Sequence, residues 1–280
     1  MTNALKITQI YSPMTNIIFF GNGPLAETTK TLIKNHPDFN IIFHAKTKQD
    51  LEEVKKIKAS APSAFGILAS FGVLIKPDLL DIFEPFGILN IHPSLLPAYR
   101  GASPIESAIL NGDRDFSVSV MKLVKAMDAG PIYFQDTLTA DHFSMQPSKE
   151  EIYTKLSTHA TNWLLDNINH LPNPIPQNDK KATYTTKFDT SMSNLDLQKP
   201  AETLLCQIRA FQGFPKSKIT IEGHECIILA AHLNNDSPED QRAKIKLTCG
   251  DHQSLIIDRL QPAGRKPMDA TSFYNGYLKK

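Results

Sequence analysis

The chain has 280 residues, of which 41% are hydrophobic and 21% charged. This composition excludes collagen-like, coiled-coil and wholly disordered chains, and the length suffices for one large domain or two smaller ones. Thirty Lys and Arg residues balance 29 Asp and Glu residues, so the net charge of +1 predicts no general attraction to nucleic acid or membrane. Cys206, Cys226 and Cys249 form no CxxC pair, which indicates free thiols in a reducing compartment and no zinc site.

The sequence contains no segment that predicts a membrane span or a leader. The longest nearly apolar run, residues 64–75, is well short of the roughly 20 residues that span a bilayer. The N-terminus, MTNALKITQIYSPMT, has no apolar secretory core, and no arginine precedes Arg100. We therefore expect a cytoplasmic, monomeric protein with a short, loose N-terminal extension.

Strands alternate with helices through the first part of the chain. Strands are predicted for short apolar runs, at residues 17–20, 39–44, 64–70, 87–92, 116–123 and 132–138. Helices are predicted where apolar residues recur with helical spacing, at residues 25–35, 49–58, 103–110 and 149–169, with a short helix after Pro77. This alternation predicts an α/β fold with a mostly parallel sheet.

The last third of the chain has a different pattern. Residues 171–177 (LPNPIPQ) carry three prolines and no periodicity, which predicts a linker. A helix is predicted at residues 200–211, and short β-rich runs separated by polar turns follow at residues 218–222, 225–233, 244–249 and 254–260. This pattern suits a small β-barrel. We expect one domain over residues 1–185, a linker over about 171–199, and a second domain over 200–280.

The turn after the first strand is a partial dinucleotide fingerprint. Gly21, Gly23 and Ala26 fit the pattern G-x-G-x-x-A. The second strand, however, runs into His44-Ala45-Lys46 and supplies no carboxylate for a ribose hydroxyl. A nicotinamide cofactor is therefore disfavoured, and a glycine turn that lets helix and strand pack closely is the favoured interpretation.

Two polar side chains end a buried strand in the segment 87–101 (GILNIHPSLLPAYRG). Asn90 and His92 are two positions apart, so both point to the same side of the strand. They lie at its carboxyl end, where open α/β sheets bind ligands. A histidine alone at a strand end is more often structural, but this pair, followed by two prolines, favours a functional site.

A third polar position, Asp128, lies in the loop MDAGP between two predicted strands. Gly130 and Pro131 indicate a turn, and an isolated aspartate in a turn is usually only a turn former. If Asp128 folds onto His92, it favours the imidazolium, while His92 and the Asn90 amide donate hydrogen bonds to a developing oxyanion. These three residues together predict acyl transfer without a protein nucleophile.

Residues 65–105 (FGILASFGVLIKPDLLDIFEPFGILNIHPSLLPAYRGASPI) resemble the signature of the formyltransferases that use 10-formyltetrahydrofolate. In that family an Asn-x-His-x-Ser-Leu-Leu-Pro run and a later Asp-x-Gly mark the site. Two further segments, KPAETLLCQIRAFQGFP (199–215) and LQPAGRKPM (260–268), are similar to the C-terminal domain of the branch that formylates methionyl-tRNA. The resemblance thus extends from residue 17 to residue 268.

The resemblance implies a Rossmann-like catalytic domain, an OB-like β-barrel that binds tRNA, and formyl transfer to methionyl-initiator tRNA for translation initiation, without a metal. It makes Asn90, His92 and Asp128 the catalytic trio. It assigns 10-formyltetrahydrofolate to Ser70, Phe71, Gly72, His92, Ser94, Leu95, Leu96, Pro97 and Asp128. Within the barrel it favours, as phosphate contacts, the basic residues Arg209, Lys216, Lys218, Arg259, Arg265 and Lys266.

The sequence departs from the family in two places. Only about 20 residues, 45–64, stand where the family has a long basic loop that reads the acceptor end of tRNA. The lysines that could replace this loop are Lys46, Lys48, Lys55, Lys56 and Lys58. Residues 123–127 (LVKAM) also differ from the usual Met-Asp-x-Gly-Leu, which indicates a reshaped loop on the folate side.

These departures leave other functions open. The chain could formylate a different amine, such as an amino sugar nucleotide, or hydrolyse 10-formyltetrahydrofolate. A non-catalytic tRNA-binding descendant is disfavoured because Asn90, His92 and Asp128 are all present.

Overall fold

The computed structural model describes residues 14–279, so the expected N-terminal extension lies outside the described residues. The chain divides into two compact units. Among the described residues, the first contains residues 14–92, Val118–Gln135 and Ser157–Gln177, and the second contains Pro93–Ser117, Asp136–Leu156 and residues 178–279. The domain boundaries near residues 185 and 200 stay a prediction.

The first sheet has six strands in the order β2-β1-β3-β4-β5-β6. These strands are β1 (Thr15–Phe20), β2 (Phe39–Ala45), β3 (Phe65–Leu68), β4 (Ile88–His92), β5 (Phe116–Lys122) and β6 (Ile132–Leu138). Strands β2, β1, β3 and β4 are parallel, whereas β5 runs antiparallel to β4. The predicted mostly parallel sheet is therefore confirmed, and β4, which carries the candidate site, lies inside the sheet.

The helices follow the predicted positions. They are α1 (Pro24–Asn35), α2 (Asp50–Ser60), α3 (Pro77–Asp81), α4 (Pro104–Leu110) and α5 (Lys149–Asn167). Helix α1 begins at Pro24, whose fixed φ suits a first helical position. It buries Leu25, Thr29 and Ile33, which recur every four residues and so form one face of the helix.

One core cluster of the first unit lies where α2 and α3 meet the sheet. It joins Ile18 and Phe20 of β1, Val54 of α2 and Leu79 of α3, with Phe83 edge-on to Phe20. Ile18 and Phe20 are two residues apart and therefore project from the same side of the strand. Burial of this apolar area fixes the strands that lead to the candidate site.

The Gly21 turn is explained by close packing. The φ of Gly21 is 138°, and a Cβ there would lie 1.8 Å from the carbonyl oxygen of Ala69. The Gly21 carbonyl oxygen lies 2.8 Å from Nε2 of His44, which occupies the end of β2. This geometry supports the interpretation of the turn as a packing feature.

The second unit contains an antiparallel sheet in the order β11-β10-β8-β7, with β9 paired to β10. Its elements are α6 (Ala201–Ala210), β7 (Ser217–Ile221), β8 (His224–Leu233), α7 (Pro238–Arg242), β9 (Lys246–Thr248), β10 (Ser254–Pro262), β11 (Met268–Asp269) and α8 (Ala270–Phe273). The predicted fold class is confirmed, because the sheet is curled as a half-barrel. Helix α7 lies in a segment predicted as a turn; Ser237 caps it by accepting a hydrogen bond from the Asp240 amide.

The proline-rich segment, residues 171–177, and the residues that follow it are attached to the rest of the chain at two places. Ile175 exchanges two backbone hydrogen bonds of 2.8 Å with Ile132 at the start of β6. Further on, Thr183 and Thr185 bond to the backbone of Arg100 within the second unit. The segment thus has no helix or strand of its own here, yet its backbone is paired.

Two simpler expectations concern the cysteines and the membrane. All three cysteines are free, as predicted, and all three are buried. Within residues 14–279, no helix has the length and hydropathy needed to cross a bilayer.

His232 on β8 bridges two carboxylates in the second unit. Its Nδ1 lies 2.9 Å from Asp258 and its Nε2 lies 3.0 Å from Asp240. A carboxylate only accepts, so both ring nitrogens donate when the ring is protonated as an imidazolium. Burial lowers the pKa of His232, but the bonds to Asp258 and Asp240 outweigh burial and raise it above its usual value. The hydrogen bond from His232 lowers the pKa of Asp240 to about 2.

These shifts predict how stability depends on pH. Because the pKa of His232 is raised in the folded state, protonated His232 contributes its full stabilisation of the fold below about pH 6.5. This stabilisation is lost as pH rises through the folded-state pKa. Because the pKa of Asp240 is lowered, the ionised carboxylate contributes its full stabilisation of the fold above about pH 4. This stabilisation is lost as pH falls towards 2. Urea denaturation should therefore show His232→Gln costing more stability at pH 5.5 than at pH 9. A cost that is equal at both pH values would contradict this assignment.

Candidate active site

Asn90 and His92 occupy the carboxyl end of β4 and are each only 5% exposed. Strand β3 flanks Asn90 on one side, where Leu68 is its partner, and β5 flanks both residues on the other. Because successive side chains alternate, the Asn90 amide and the His92 ring project from the same side of the strand. The sheet thus presents two polar groups together at an otherwise apolar position.

The structure brings Asp128 to His92. Oδ2 of Asp128 lies 3.8 Å from Nδ1 of His92, and both side chains are largely buried. Asp128 has a φ of 49°, a left-handed conformation that aspartate tolerates better than most residues. The carboxylate is close enough to stabilise positive charge on the ring, but too far for a direct hydrogen bond.

The loop that carries Asp128 connects β5 to β6 and is closed by backbone contacts. The Lys122 amide donates to the Pro131 carbonyl at 2.9 Å. A Cβ on Gly130 would lie 1.8 Å from the Lys122 carbonyl oxygen, so only glycine fits there. The Gln177 side-chain amide donates to the carbonyl oxygens of Asp128, at 2.8 Å, and Gly130, at 2.7 Å.

Sequence reasoning missed Gln177 and a pair of polar residues, Ser119 and Gln135, beside His92. Ser119 on β5 is directly opposite His92 and fully buried, and its Oγ accepts a 3.0 Å hydrogen bond from the Gln135 amide of β6. An alternating apolar strand that contains a serine gives a weak signal for such a pair. For Gln177 the signal was its place directly after three prolines, which fix an extended backbone.

The folate residues expected in the first unit form a turn after β3. Ser70 and Gly72 have left-handed φ values of 53° and 66° and are exposed. The ring of Phe71 is buried and lies edge-on to Phe20, 5.7 Å between centroids. The turn therefore offers backbone and the Ser70 hydroxyl to a ligand, and the Phe71 ring belongs to the core.

The folate residues expected in the second unit are divided between surface and interior. Ser94 is buried and its hydroxyl donates to the Ala98 carbonyl at 2.7 Å. Leu96 is buried, Leu95 is 47% exposed and Pro97 is half-buried. Their role with folate stays a prediction.

The six basic residues assigned to tRNA all belong to the second unit. Lys216, Lys218, Arg259, Arg265 and Lys266 are exposed. Arg209 differs, because it is partly buried and donates to the Pro147 carbonyl at 3.1 Å. Burial also lowers the pKa of its guanidinium.

Strand pairing places one member of this set, Lys218, along a groove. Lys218 of β7 and Gln261 of β10 are both opposite Ile227 of β8. The Gln261 amide donates to the Arg265 carbonyl at 2.8 Å, which holds the turn after β10 at the same end. A groove of about 450 Å³ lies here, lined by Lys218, Thr220, Glu225, Ile227 and Gln261 among others.

The lysines that could replace the missing basic loop are mostly engaged by other groups. Lys55 pairs with Glu52 and Asp78 on the surface, and Lys56 pairs with Glu53.

Lys58 is buried and donates to the carbonyls of Pro62 and Ala64, both at 2.6 Å. Burial lowers the pKa of its ammonium. Of the five lysines, Lys46 and Lys48 in the turn before α2 remain as exposed candidates.

The site suits chemistry in which charge develops on a carbonyl oxygen. An amide donor and an imidazole project from one strand, and a carboxylate lies behind the ring at Nδ1. Residues 14–279 contain no group of three or more His, Cys, Asp or Glu side chains placed to hold a metal.

Two family models match the chain: formyl transferase, over residues 12–168, and formyl transferase, C-terminal domain, over residues 187–278. The methionyl-tRNA formyltransferase of Pseudoalteromonas translucida is 31% identical over 245 residues, which cover 82% of this chain and 74% of that protein. The chain belongs to the formyl transferase family.

Solved structures agree with the fold. Methionyl-tRNA formyltransferase from Clostridium thermocellum has a TM-score of 0.64 at 22% identity and covers 89% of this chain and 98% of its own. HypX from Aquifex aeolicus, in complex with tetrahydrofolic acid, has a TM-score of 0.70 at 14% identity over 96% of this chain. The chain spans about half of HypX, 48%. At these identities the likeness shows the fold alone.

Proposed function

We propose that this chain transfers a formyl group from 10-formyltetrahydrofolate to the α-amino group of methionine carried by initiator tRNA, in translation initiation. One observation carries the proposal. The Asp128 carboxylate lies 3.8 Å from His92, and the strand that carries His92 also carries Asn90. Membership of the formyl transferase family supports the reaction type. The tRNA substrate is supported by relatives named methionyl-tRNA formyltransferase.

The residues present fit a formyl donor. The folate supplies a formyl carbon that is electrophilic and a nitrogen that can leave. Asn90 and His92 supply hydrogen-bond donors for the formyl oxygen, which gains negative charge when the amine attacks. Such donors act strongly here because both side chains are buried, where water screens little.

Proton transfer completes the exchange. The new bond joins the methionine nitrogen to the formyl carbon, and the bond from that carbon to the folate nitrogen breaks. The attacking amine loses a proton, and the leaving nitrogen gains one. His92 carries this proton, directly or through a water, and Asp128 stabilises the positive charge that appears on the ring.

The remaining site residues keep their proposed roles. Folate contacts are proposed for the turn at Ser70, Phe71 and Gly72 and, in the second unit, for residues 94–97. Phosphate contacts are proposed for the exposed basic residues of the antiparallel sheet, and Arg209 is the weakest member because its guanidinium is engaged within the fold. We also propose that the protein works as a monomer in the cytoplasm, where aminoacylated initiator tRNA is found.

A formyl-transfer assay with purified protein tests the proposal. Initiator methionyl-tRNA, elongator methionyl-tRNA and an amino sugar nucleotide are compared as acceptors, and release of tetrahydrofolate without an acceptor measures hydrolysis. We expect strong preference for initiator methionyl-tRNA. Transfer to the amino sugar, or hydrolysis alone, would replace the proposal with one of the alternatives.

The trio makes a prediction about turnover. His92→Ala or Asp128→Asn should lower kcat by roughly 100-fold or more, because each removes an oxyanion donor or the charge that supports it. Binding of tRNA should not change. His142→Ala is the matched control, because His142 also has an aspartate near Nδ1, Asp141 at 3.4 Å, but is exposed. Full turnover in either trio variant would remove that residue from the mechanism.

The basic set makes a prediction about salt. Lys218→Ala or Arg265→Ala should weaken tRNA binding and lower the slope of log affinity against log salt by about 1, because each phosphate contact releases counterions. Filter binding from 50 to 200 mM salt measures the slope. Lys246→Ala, an exposed lysine of β9 in the same sheet, is the control. Slopes equal to wild type for Lys218→Ala and Arg265→Ala would exclude these residues.

A further inference from the structure

We infer that Gln177 is a positioning residue for Asp128. Its side-chain amide holds the turn from which the carboxylate reaches His92. The inference rests on the proposed function and adds a residue from a segment that the sequence predicted to be only a linker. It makes residues 171–177 part of the catalytic apparatus of the first unit.

The backbone of this segment delivers Gln177 to the loop. Three prolines in residues 171–177 fix extended backbone, and residues that precede a proline are biased the same way. The two hydrogen bonds between Ile175 and Ile132 start an antiparallel pairing. The bridge is isolated, but it brings the chain close enough that, two residues further on, the Gln177 side chain contacts Gly130 at the end of the Asp128 loop.

The Gln177 amide then binds the loop at two points. Its Nε2 donates to the carbonyl oxygens of Asp128 and Gly130, at 2.8 and 2.7 Å, so both amide hydrogens point into one turn. An amide that binds both carbonyl oxygens fixes the Asp128–Ala129 and Gly130–Pro131 peptide groups. It thereby fixes the direction in which the Asp128 side chain leaves the backbone.

The turn needs this support. Asp128 adopts a left-handed φ of 49°, which costs energy relative to ordinary backbone conformations. The neighbouring Met127 is 66% exposed and does not anchor the loop through burial of its side chain. Without Gln177, two carbonyl groups lose their donors and the turn can relax to a more common conformation, which moves the carboxylate from the ring.

Kinetics separates positioning from a general structural role. Gln177→Ala should lower kcat by about 10- to 100-fold, as small misplacements of catalytic groups do, with KM for both substrates within twofold of wild type. Because Gln177 acts through Asp128, Gln177→Ala should cost less than twofold when it is added to Asp128→Asn. Gln177→Asn, which keeps the amide on a shorter stem, should recover part of the loss.

The control is Gln241→Ala. Gln241 also donates its amide to a backbone carbonyl in a turn, that of Asp236 at 3.3 Å, but it belongs to the second unit, whereas Asp128 belongs to the first. It should leave kcat unchanged. An unchanged kcat in Gln177→Ala, a rise in KM alone, or a full additional loss in the Asp128→Asn background would each overturn the inference.

Hydrogen exchange tests the same contact without an assay of transfer. Backbone amides of residues 126–130 should exchange faster in Gln177→Ala than in wild type, and at the wild-type rate in Gln241→Ala. Unchanged exchange in Gln177→Ala would overturn the inference whatever the substrate is. Failure of wild-type protein to formylate methionyl-tRNA would instead overturn the proposed function, so the two failures are distinguishable.

Discussion

The position of one carboxylate behind one imidazole is the constraint on which the active site depends. His92 is fixed because it lies on β4, an interior strand that pairs with β3 on one side and with β5 on the other. Asp128 has no such support, because it comes from the connection between β5 and β6. The 3.8 Å separation therefore depends on the contacts that hold this connection: backbone closure at Pro131, the close approach of Gly130 to Lys122, and the Gln177 amide.

Much of this fold could be predicted from local sequence patterns. The strand that ends in Asn90 and His92 is visible because polar groups interrupt an apolar run, and helix α1 is visible from its spacing and Pro24. From the sequence, the contact between Asp128 and His92 can be predicted only as a condition, because no local pattern indicates a contact between residues 36 positions apart. Gln177 and Ser119 were missed for the same reason: their roles come from which strand or segment lies opposite them.

The two units make different demands on tRNA recognition. In the first unit, the short segment before β3 holds a helix whose lysines are paired or buried, which leaves little free positive charge at that edge. In the second unit, exposed basic residues lie on β7 and β10 of the antiparallel sheet and in the turns beside them. The basic residues proposed for phosphate contacts therefore all belong to the second unit.

The most direct measurement of the central claim is a crystal structure of the protein with a non-hydrolysable 10-formyltetrahydrofolate analogue and a methionyl-adenosine mimic. The account predicts that the formyl oxygen lies within about 3.2 Å of both the Asn90 amide nitrogen and a ring nitrogen of His92. It also predicts that the Asp128 carboxylate remains beside Nδ1. A formyl group bound elsewhere, with Asn90 and His92 making no contact to it, would contradict the account.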